Sequence, residues 1–421
     1  MSKLITICKK IAKCFIEYRI VDDTKQYRLK HTGLKISYSL KKIYQKNWAD
    51  VPVNEKKIVF DNYMGKSYGC NPKFVTEELL RQNSDLDIIW TVKDAHLHRS
   101  EFPEKIRLVE YGSPEAFMEY ATAKFWVSNY HMVAYLNKGL MKKPEQKYIQ
   151  MWHGSFGIKK IENGCSLLTK DTNWVYLAKK NSEYTDYWIS NSGFETQVYQ
   201  ESFWDVSDIL EYGHPRNDIF FRKDQMEQAA SKVCSWYGIS GKKILLYVPT
   251  YRDEKMESAV YPDYEALQSA LSERFGGAWV ILIRMHPRMK QYAQKIIPQK
   301  EFIIDATEYP DIQELLASAN VVLSDYSSSI FDFILTKKPG FLFVPDTKEY
   351  EDVRGLYYPL SETPFPIAED SSKLVENIRT FDETEYKKHV EQFLSEKRST
   401  EDGRAAERVV SLIKQLINER G

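Results

Sequence analysis

His153 stands at the end of Tyr148-Ile-Gln-Met-Trp152, a short β-rich run, and is followed by Gly154-Ser155, Gly157, Lys159 and Lys160. A histidine just past a strand end opens onto a cleft, titrates near neutral pH and can take the proton of a hydroxyl. Gly154 and Gly157 leave room for backbone amides to approach an anion. The plainer alternative is a turn histidine satisfied by backbone. A second group follows Ala278-Trp-Val-Ile-Leu-Ile283, which ends in Arg284-Met-His286-Pro287. Pro287 stops the strand, and Arg284 and His286, two apart on one face, offer paired donors to a phosphate. A third follows Asn320-Val-Val-Leu-Ser324, where Asp325-Tyr326-Ser327-Ser328-Ser329 precedes a helix predicted over residues 330–336. Serines there act either as caps or as part of an anion site. Asp332, one turn into that helix, has the chemistry to hold the two hydroxyls of a ribose. Thr250 and Arg252 follow a further strand and make plausible cleft residues, although Arg252-Asp253 also reads as a local ion pair. Together these groups point to a nucleoside diphosphate.

All lie just beyond predicted strand ends, where open α/β sheets bind ligands. Strands are predicted at residues 57–61, 87–92, 106–110, 125–129, 148–152, 187–191 and 209–212, with helical patterns between them. One such helix spans Pro72 to Gln82, with Asn71 as its cap and Pro72 at the first position. After Gly213 and a helix near residues 224–237 the order restarts, with strands at 243–249, 279–285, 302–305, 321–325 and 340–344. Alternation of this kind gives mostly parallel sheets covered on both faces. Polar helices from Ser371 to Arg420 finish the chain. The expected fold is α/β with two Rossmann-like domains facing a cleft. Its divisions are a basic segment over 1–50, domains over 55–213 and 214–400, and a terminal helix over 401–421. Arg216, with Asn217 and Asp218, falls between the halves, as a hinge turn or a ligand contact.

A chain of 421 residues suits two domains. With 43% apolar and 28% charged residues it is an ordinary globular composition. No apolar run reaches the ~18 residues of a membrane span, and lysines break the N-terminal apolar pattern before a signal-peptide core forms, so an intracellular location is expected. The five cysteines are scattered and include no CxxC pair, which argues against disulfides and zinc. There is no GxGxxG after a strand and no Walker GxxxxGK[ST]. The single DxD, Asp85 and Asp87, lies at the start of a strand, the wrong place for a metal. Neither a metal nor a cofactor is expected, and nucleic acid is not an expected partner. The net charge of zero conceals a basic start, since residues 1–48 hold 12 Lys or Arg against 3 acids. Leu4, Ile7, Cys8, Ile11, Cys14, Phe15 and Tyr18 recur at helical spacing, with Lys3, Lys9, Lys10 and Lys13 elsewhere. Ile36, Leu40, Ile43 and Tyr44 repeat the design. Such helices either attach to an anionic membrane surface or pack on their own protein.

The ordered motifs resemble the CDP-glycerol glycerophosphotransferase family of teichoic-acid and capsule enzymes. They are Trp152-His-Gly-Ser155 with Lys159 and Lys160, Gly213-His-Pro-Arg-Asn-Asp218, Val248-Pro-Thr-Tyr-Arg-Asp253, Arg284-Met-His-Pro287, Ser324-Asp-Tyr-Ser-Ser328 with Phe331-Asp332, and Asp346 with Tyr350 and Arg354-Gly355. The chain departs from the family at Ser155-Phe156, His214 and Tyr251, and after Arg354-Gly355. The resemblance implies a GT-B fold and transfer of glycerol phosphate or ribitol phosphate from CDP-glycerol or CDP-ribitol to a hydroxyl, with release of CMP. It implies His153 as base and His286 as a group that protonates or bonds the leaving phosphate. Arg284, Ser327 and Ser328 would hold the pyrophosphate, Asp332 the ribose and Arg354 further phosphate, with Lys160 among the substrate-binding residues. The acceptor would be lipid-linked or polymeric, and the enzyme peripheral on the inner face of the bacterial cell membrane through residues 1–48. The competing expectation is a GT-B glycosyltransferase that uses a nucleotide sugar.

Overall fold

Strands with side chains buried on both faces must be covered by helices on both sides, and this pattern sets the architecture. The computed structural model describes residues 50–165, 172–250, 260–286 and 289–418. The helices expected over 1–48 lie outside them, as does Arg252. The first sheet contains β1 (Asn54–Asp61), β2 (Asp87–Val92), β3 (Arg107–Glu110), β4 (Ala123–Ser128), β5 (Lys147–Gln150), β6 (Tyr187–Ser190) and β7 (Asp208–Glu211), all parallel, in the order β3-β2-β1-β4-β5-β6-β7. Every residue of β4 is buried. The second contains β8 (Lys242–Val248), β9 (Ala278–Ile283), β10 (Ile303–Asp305), β11 (Val321–Ser324), β12 (Gly340–Phe343) and β13 (Ile367–Ala368), in the order β10-β9-β8-β11-β12-β13, again parallel. The strand order reverses between β1 and β4 in one sheet and between β8 and β11 in the other. Ligand crevices form at such reversals, outside the carboxyl ends of the strands.

Two details correct the sequence reading. The first helix runs Cys70–Arg81 from Gly69 as its N-cap, so Asn71 lies inside it. The Asn71 amide instead donates to the Met151 and Trp152 carbonyls, each at 3.2 Å, tying this helix to the strand end that carries His153. The last helix, Ala405–Asn418, is not a polar appendage. It returns to the first domain and buries Val409, Val410, Ile413 and Leu416 in one cluster with Ile58, Phe60, Val75 and Leu79. Its first turn is held by Asp218, whose two carboxylate oxygens accept from the Ala405 and Ala406 amides at 2.9 Å each.

The domains are also joined by ion pairs. Lys73 reaches Asp311 at 2.7 Å and Glu314 at 3.3 Å. Beyond the cleft, residues 158–161 lie beside 355–357. The Lys160 amide donates to the Gly355 carbonyl at 3.1 Å, and the Tyr357 amide donates to Ile158 at 2.7 Å.

Candidate active site

His153 follows β5 by three residues, and its ring is walled by aromatics. Tyr130 stacks on it at 5.3 Å between centroids, Trp152 lies at 4.3 Å and the Tyr63 edge at 5.2 Å. Its Nδ1 is 2.9 Å from the Asn129 carbonyl, just past β4. A carbonyl only accepts, so Nδ1 carries the proton and Nε2 keeps its lone pair. Burial lowers the imidazole from 6.5 to about 4, with Arg216 and His131 acting in the same sense and the Asn129 carbonyl and Glu162 opposing. At neutral pH the residue is therefore an uncharged imidazole of fixed tautomer, the form a general base requires.

The second domain meets this loop directly. A Cβ placed on Gly157 would lie 3.3 Å from the Ser328 Cβ, so a side chain there would press on the serine loop. Ser327 and Ser329 share a hydroxyl contact of 2.9 Å. The Ser328 hydroxyl makes no hydrogen bond among the described residues and caps no helix, so capping does not account for it. Arg284 leaves β9 half-buried, its guanidinium donating to the Tyr309 carbonyl at 2.5 Å. Burial lowers its pKa, while Asp311 favours its charge. Two residues on, His286 is exposed. The half-buried Arg354 has an Nε that is shielded from water and unpartnered among the described residues. Lys160 lies along Gly355, where an added Cβ would come within 3.0 Å of its chain.

Three of the expected contact residues are engaged within the protein. The first is Asp332. It is buried, and its carboxylate accepts from Arg216 at 2.9 and 3.2 Å, from Asn217 at 3.1 Å and from Gln313 at 3.4 Å. Arg216 is buried as well, donating also to the Gly154 carbonyl, so it braces the His153 loop from beneath. Thr250 spends its amide and hydroxyl on Asp325, the latter at 2.5 Å, joining the ends of β8 and β11. The DxD residues pair with lysine and arginine, Asp85 with Lys56 and Asp87 with Arg107. Among the described residues no cluster of three or more His, Cys, Asp or Glu is arranged for a metal.

Sequence reading missed the turn after β1. Tyr63, Met64 and Gly65 all have positive φ, at 46°, 59° and 73°, and only Gly65 signals this in its residue type. The turn brings Tyr63 onto His153 and carries Lys66.

The chain is similar to proteins of one known family. The family model for CDP-glycerol:poly(glycerophosphate) glycerophosphotransferase matches residues 43–415. The teichoic acid glycerol-phosphate transferase of Staphylococcus aureus is 32% identical over 376 residues, covering 86% of this chain and 93% of that protein. The teichoic acid poly(glycerol phosphate) polymerase of Staphylococcus epidermidis is 29% identical over 380 residues, and there the match covers 87% of this chain but only 52% of the relative's length. A solved structure of the wall teichoic acid polymerase TagF soaked with CDPG superposes with a TM-score of 0.77 at 27% identity, covering 95% of this chain and 100% of that one. The two domains thus form a GT-B fold.

Proposed function

The chain belongs to the CDP-glycerol:poly(glycerophosphate) glycerophosphotransferase family, and from that premise we propose that it transfers glycerol phosphate, or ribitol phosphate, from a CDP-alditol to a hydroxyl of a teichoic-acid or capsule-type acceptor. The observation that carries this reading is His153, neutral, fixed in tautomer by Asn129 and carried on the loop whose Gly157 meets Ser328 of the opposite domain. The acceptor oxygen attacks the β-phosphorus as its proton passes to His153 Nε2. A new P–O bond forms, the bond to the bridging oxygen breaks, and CMP leaves with that electron pair. In-line placement and cationic cover for the phosphate supply the rest of the rate. Arg284, Arg354 and the Ser328 hydroxyl, unpaired among the described residues, are the groups suited to that cover, and His286 is proposed to serve the leaving phosphate.

The acceptor proposed is lipid-linked or polymeric, and residues 1–48 are proposed to hold the enzyme on the anionic inner face of the cell membrane. Incubation with CDP-glycerol, CDP-ribitol and a panel of UDP-sugars, with free nucleotide as the readout, tests the reaction. CMP release dependent on an acceptor is expected. Release of UDP from a sugar donor with no CMP from either alditol donor would replace this reading with a glycosyltransferase.

A further inference from the structure

The two residues that follow His153 are gripped from different sides, and both grips lead to one carboxylate. The Ser155 hydroxyl accepts from the Asn191 side-chain amide at 2.9 Å, and the same amide donates to Glu401 Oε1 at 3.1 Å. The Gly154 carbonyl accepts from Arg216, whose guanidinium also donates to Asp332 at 2.9 Å. Asp332 accepts in turn from the Asn217 side-chain amide at 3.1 Å, and that amide donates to the same Glu401 oxygen at 2.7 Å. A closed ring of hydrogen bonds thus runs from the His153 loop through Asn191, Glu401, Asn217, Asp332 and Arg216 and back to the loop. It takes in both domains, and one carboxylate oxygen joins its two arms.

Glu401 reaches this place on the chain's last crossing between the domains. The helix Glu383–Glu396 buries Tyr386, Val390 and Phe393 in the core of the second domain, and the helix that begins at Ala405 packs on the first. Between them, residues 397–400 lie along 191–194. The Gly193 amide donates to the Arg398 carbonyl at 3.1 Å, and the Thr400 amide to the Asn191 carbonyl at 2.9 Å. Arg398 is left-handed, with φ of 54°, a conformation that persists only where its surroundings enforce it. Gly213, with φ of 86°, carries the chain past the carboxylate, and a Cβ there would lie 3.1 Å from Glu401 Oε2. The next amide, that of His214, donates to the two carboxylate oxygens at 3.3 and 3.2 Å. Among the described residues the carboxylate therefore meets N–H groups of Asn191, Asn217 and His214 and is ion-paired with no cation. A carboxyl enclosed without a counter-ion is a poor stabiliser, and costs of that kind gather where function requires them.

We propose that Glu401 is a positioning residue for the transfer step: its Oε1, shared between Asn191 and Asn217, holds Ser155 and Gly154 and so fixes where His153 meets the acceptor hydroxyl. The inference rests on His153 as the base proposed above. Asn129 sets the tautomer of the imidazole, whereas the backbone that carries the ring is set by the two residues after it. Removing the shared oxygen releases both arms at once. None of the groups proposed to cover the phosphate, Arg284, Arg354, Ser328 and His286, belongs to the ring, so donor binding is left in place. A misplacement of about 1 Å between reacting groups can cost ~10² in rate, and that loss falls on kcat.

Initial rates of the full chain with CDP-glycerol and a short soluble acceptor, taken below each variant's thermal transition, test the role. Glu401→Ala should lower kcat at least tenfold and leave KM for CDP-glycerol within threefold. Glu401→Gln keeps a carbonyl oxygen for both amides and should hold kcat within threefold of the unaltered protein. In a cycle with Ser155→Ala, the loss of kcat caused by Ser155→Ala should shrink at least threefold once Glu401 is replaced by alanine, because the arm that Ser155 ends is already cut. Independent losses, which a residue that merely stabilises the fold would give, would overturn the proposal. If Glu401→Ala does not fold, Asn191→Ala cuts the same arm and should show the kcat loss at unchanged KM; kcat within threefold there would overturn it equally. An inactive His153→Ala beside a Glu401→Ala within threefold of the unaltered protein would dismiss Glu401 and leave the base standing. His153→Ala active within threefold would instead remove the base, and the positioning role with it.

Discussion

Asp332→Ala would leave the Arg216 guanidinium buried with no counter-ion. The two side chains are only 4% and 5% exposed, and the carboxylate satisfies two guanidinium nitrogens together with Asn217. Removing one member of a buried pair typically costs roughly 3–5 kcal/mol, because the remaining charge stays desolvated. For a domain near 200 residues each kcal/mol moves the thermal midpoint by roughly 2–4 °C, so a loss of roughly 6–20 °C is expected. Replacing both members, as in Arg216→Met/Asp332→Leu, should cost less than Asp332→Ala alone, since no stranded charge remains. The assay is thermal and denaturant unfolding of both variants, with CDP-glycerol affinity measured below the transition. A stable Asp332→Ala protein whose only defect is weakened nucleotide binding would refute this account and return Asp332 to the ribose.

His153→Ala should lower transfer by ~10² to 10⁴ with donor affinity little changed, and activity within threefold of the unaltered protein would remove His153 from the base role. Because its imidazole ionises only near pH 4, protonation of His153 should not limit kcat/KM between pH 5 and 8, and an acid limb near 6.5 would contradict its burial. Glu401 is raised to about 8, chiefly by burial, despite hydrogen bonds from Asn217 and Asn191. The folded state then holds a proton that the unfolded chain releases near 4.5, so stability should fall as pH rises from 4.5 to 8, by at most ~1.4 kcal/mol per unit. Glu401→Gln should flatten that slope in denaturation curves taken from pH 5 to 9, and an unchanged slope would dismiss the assignment. Deleting residues 2–48 should reduce co-sedimentation with anionic vesicles and spare transfer to a short soluble acceptor. Indifference of the full chain to such vesicles at low salt, where exposed charges are least screened, would count against membrane attachment.

The strands were legible because parallel, doubly buried strands are written as short runs of β-branched and aromatic residues, and Trp279–Ile283 or Val321–Ser324 admit little else. β13, only two residues long, carries no such run. The positions of His153, Arg284 and Ser328 followed from the rule that chemistry gathers past strand ends. What the sequence could not display was pairing between distant residues. Arg216 and Asp332 are 116 residues apart, and nothing local distinguishes a carboxylate that meets a ribose from one that meets a guanidinium. Asn71 looks like a cap by type, but its amide is drawn to β5 by tertiary contacts. The turn bearing Lys66 escaped notice because Tyr63 and Met64 are residues that ordinarily avoid positive φ.

The return of the last helix to the first domain fixes an order of events during synthesis. The face of the first sheet that carries Ile58 and Phe60 is completed by Val409, Val410, Ile413 and Leu416, residues that leave the ribosome only after the whole of the second sheet. Domains usually mature in the order in which they are made. Here the second sheet, which needs none of those residues, can close while the first still has an open apolar side. Of the two domains the one begun first is thus completed second, and a chain stopped before residue 405 would carry a second core that lacks only Ala406 beside a first sheet with one apolar face open.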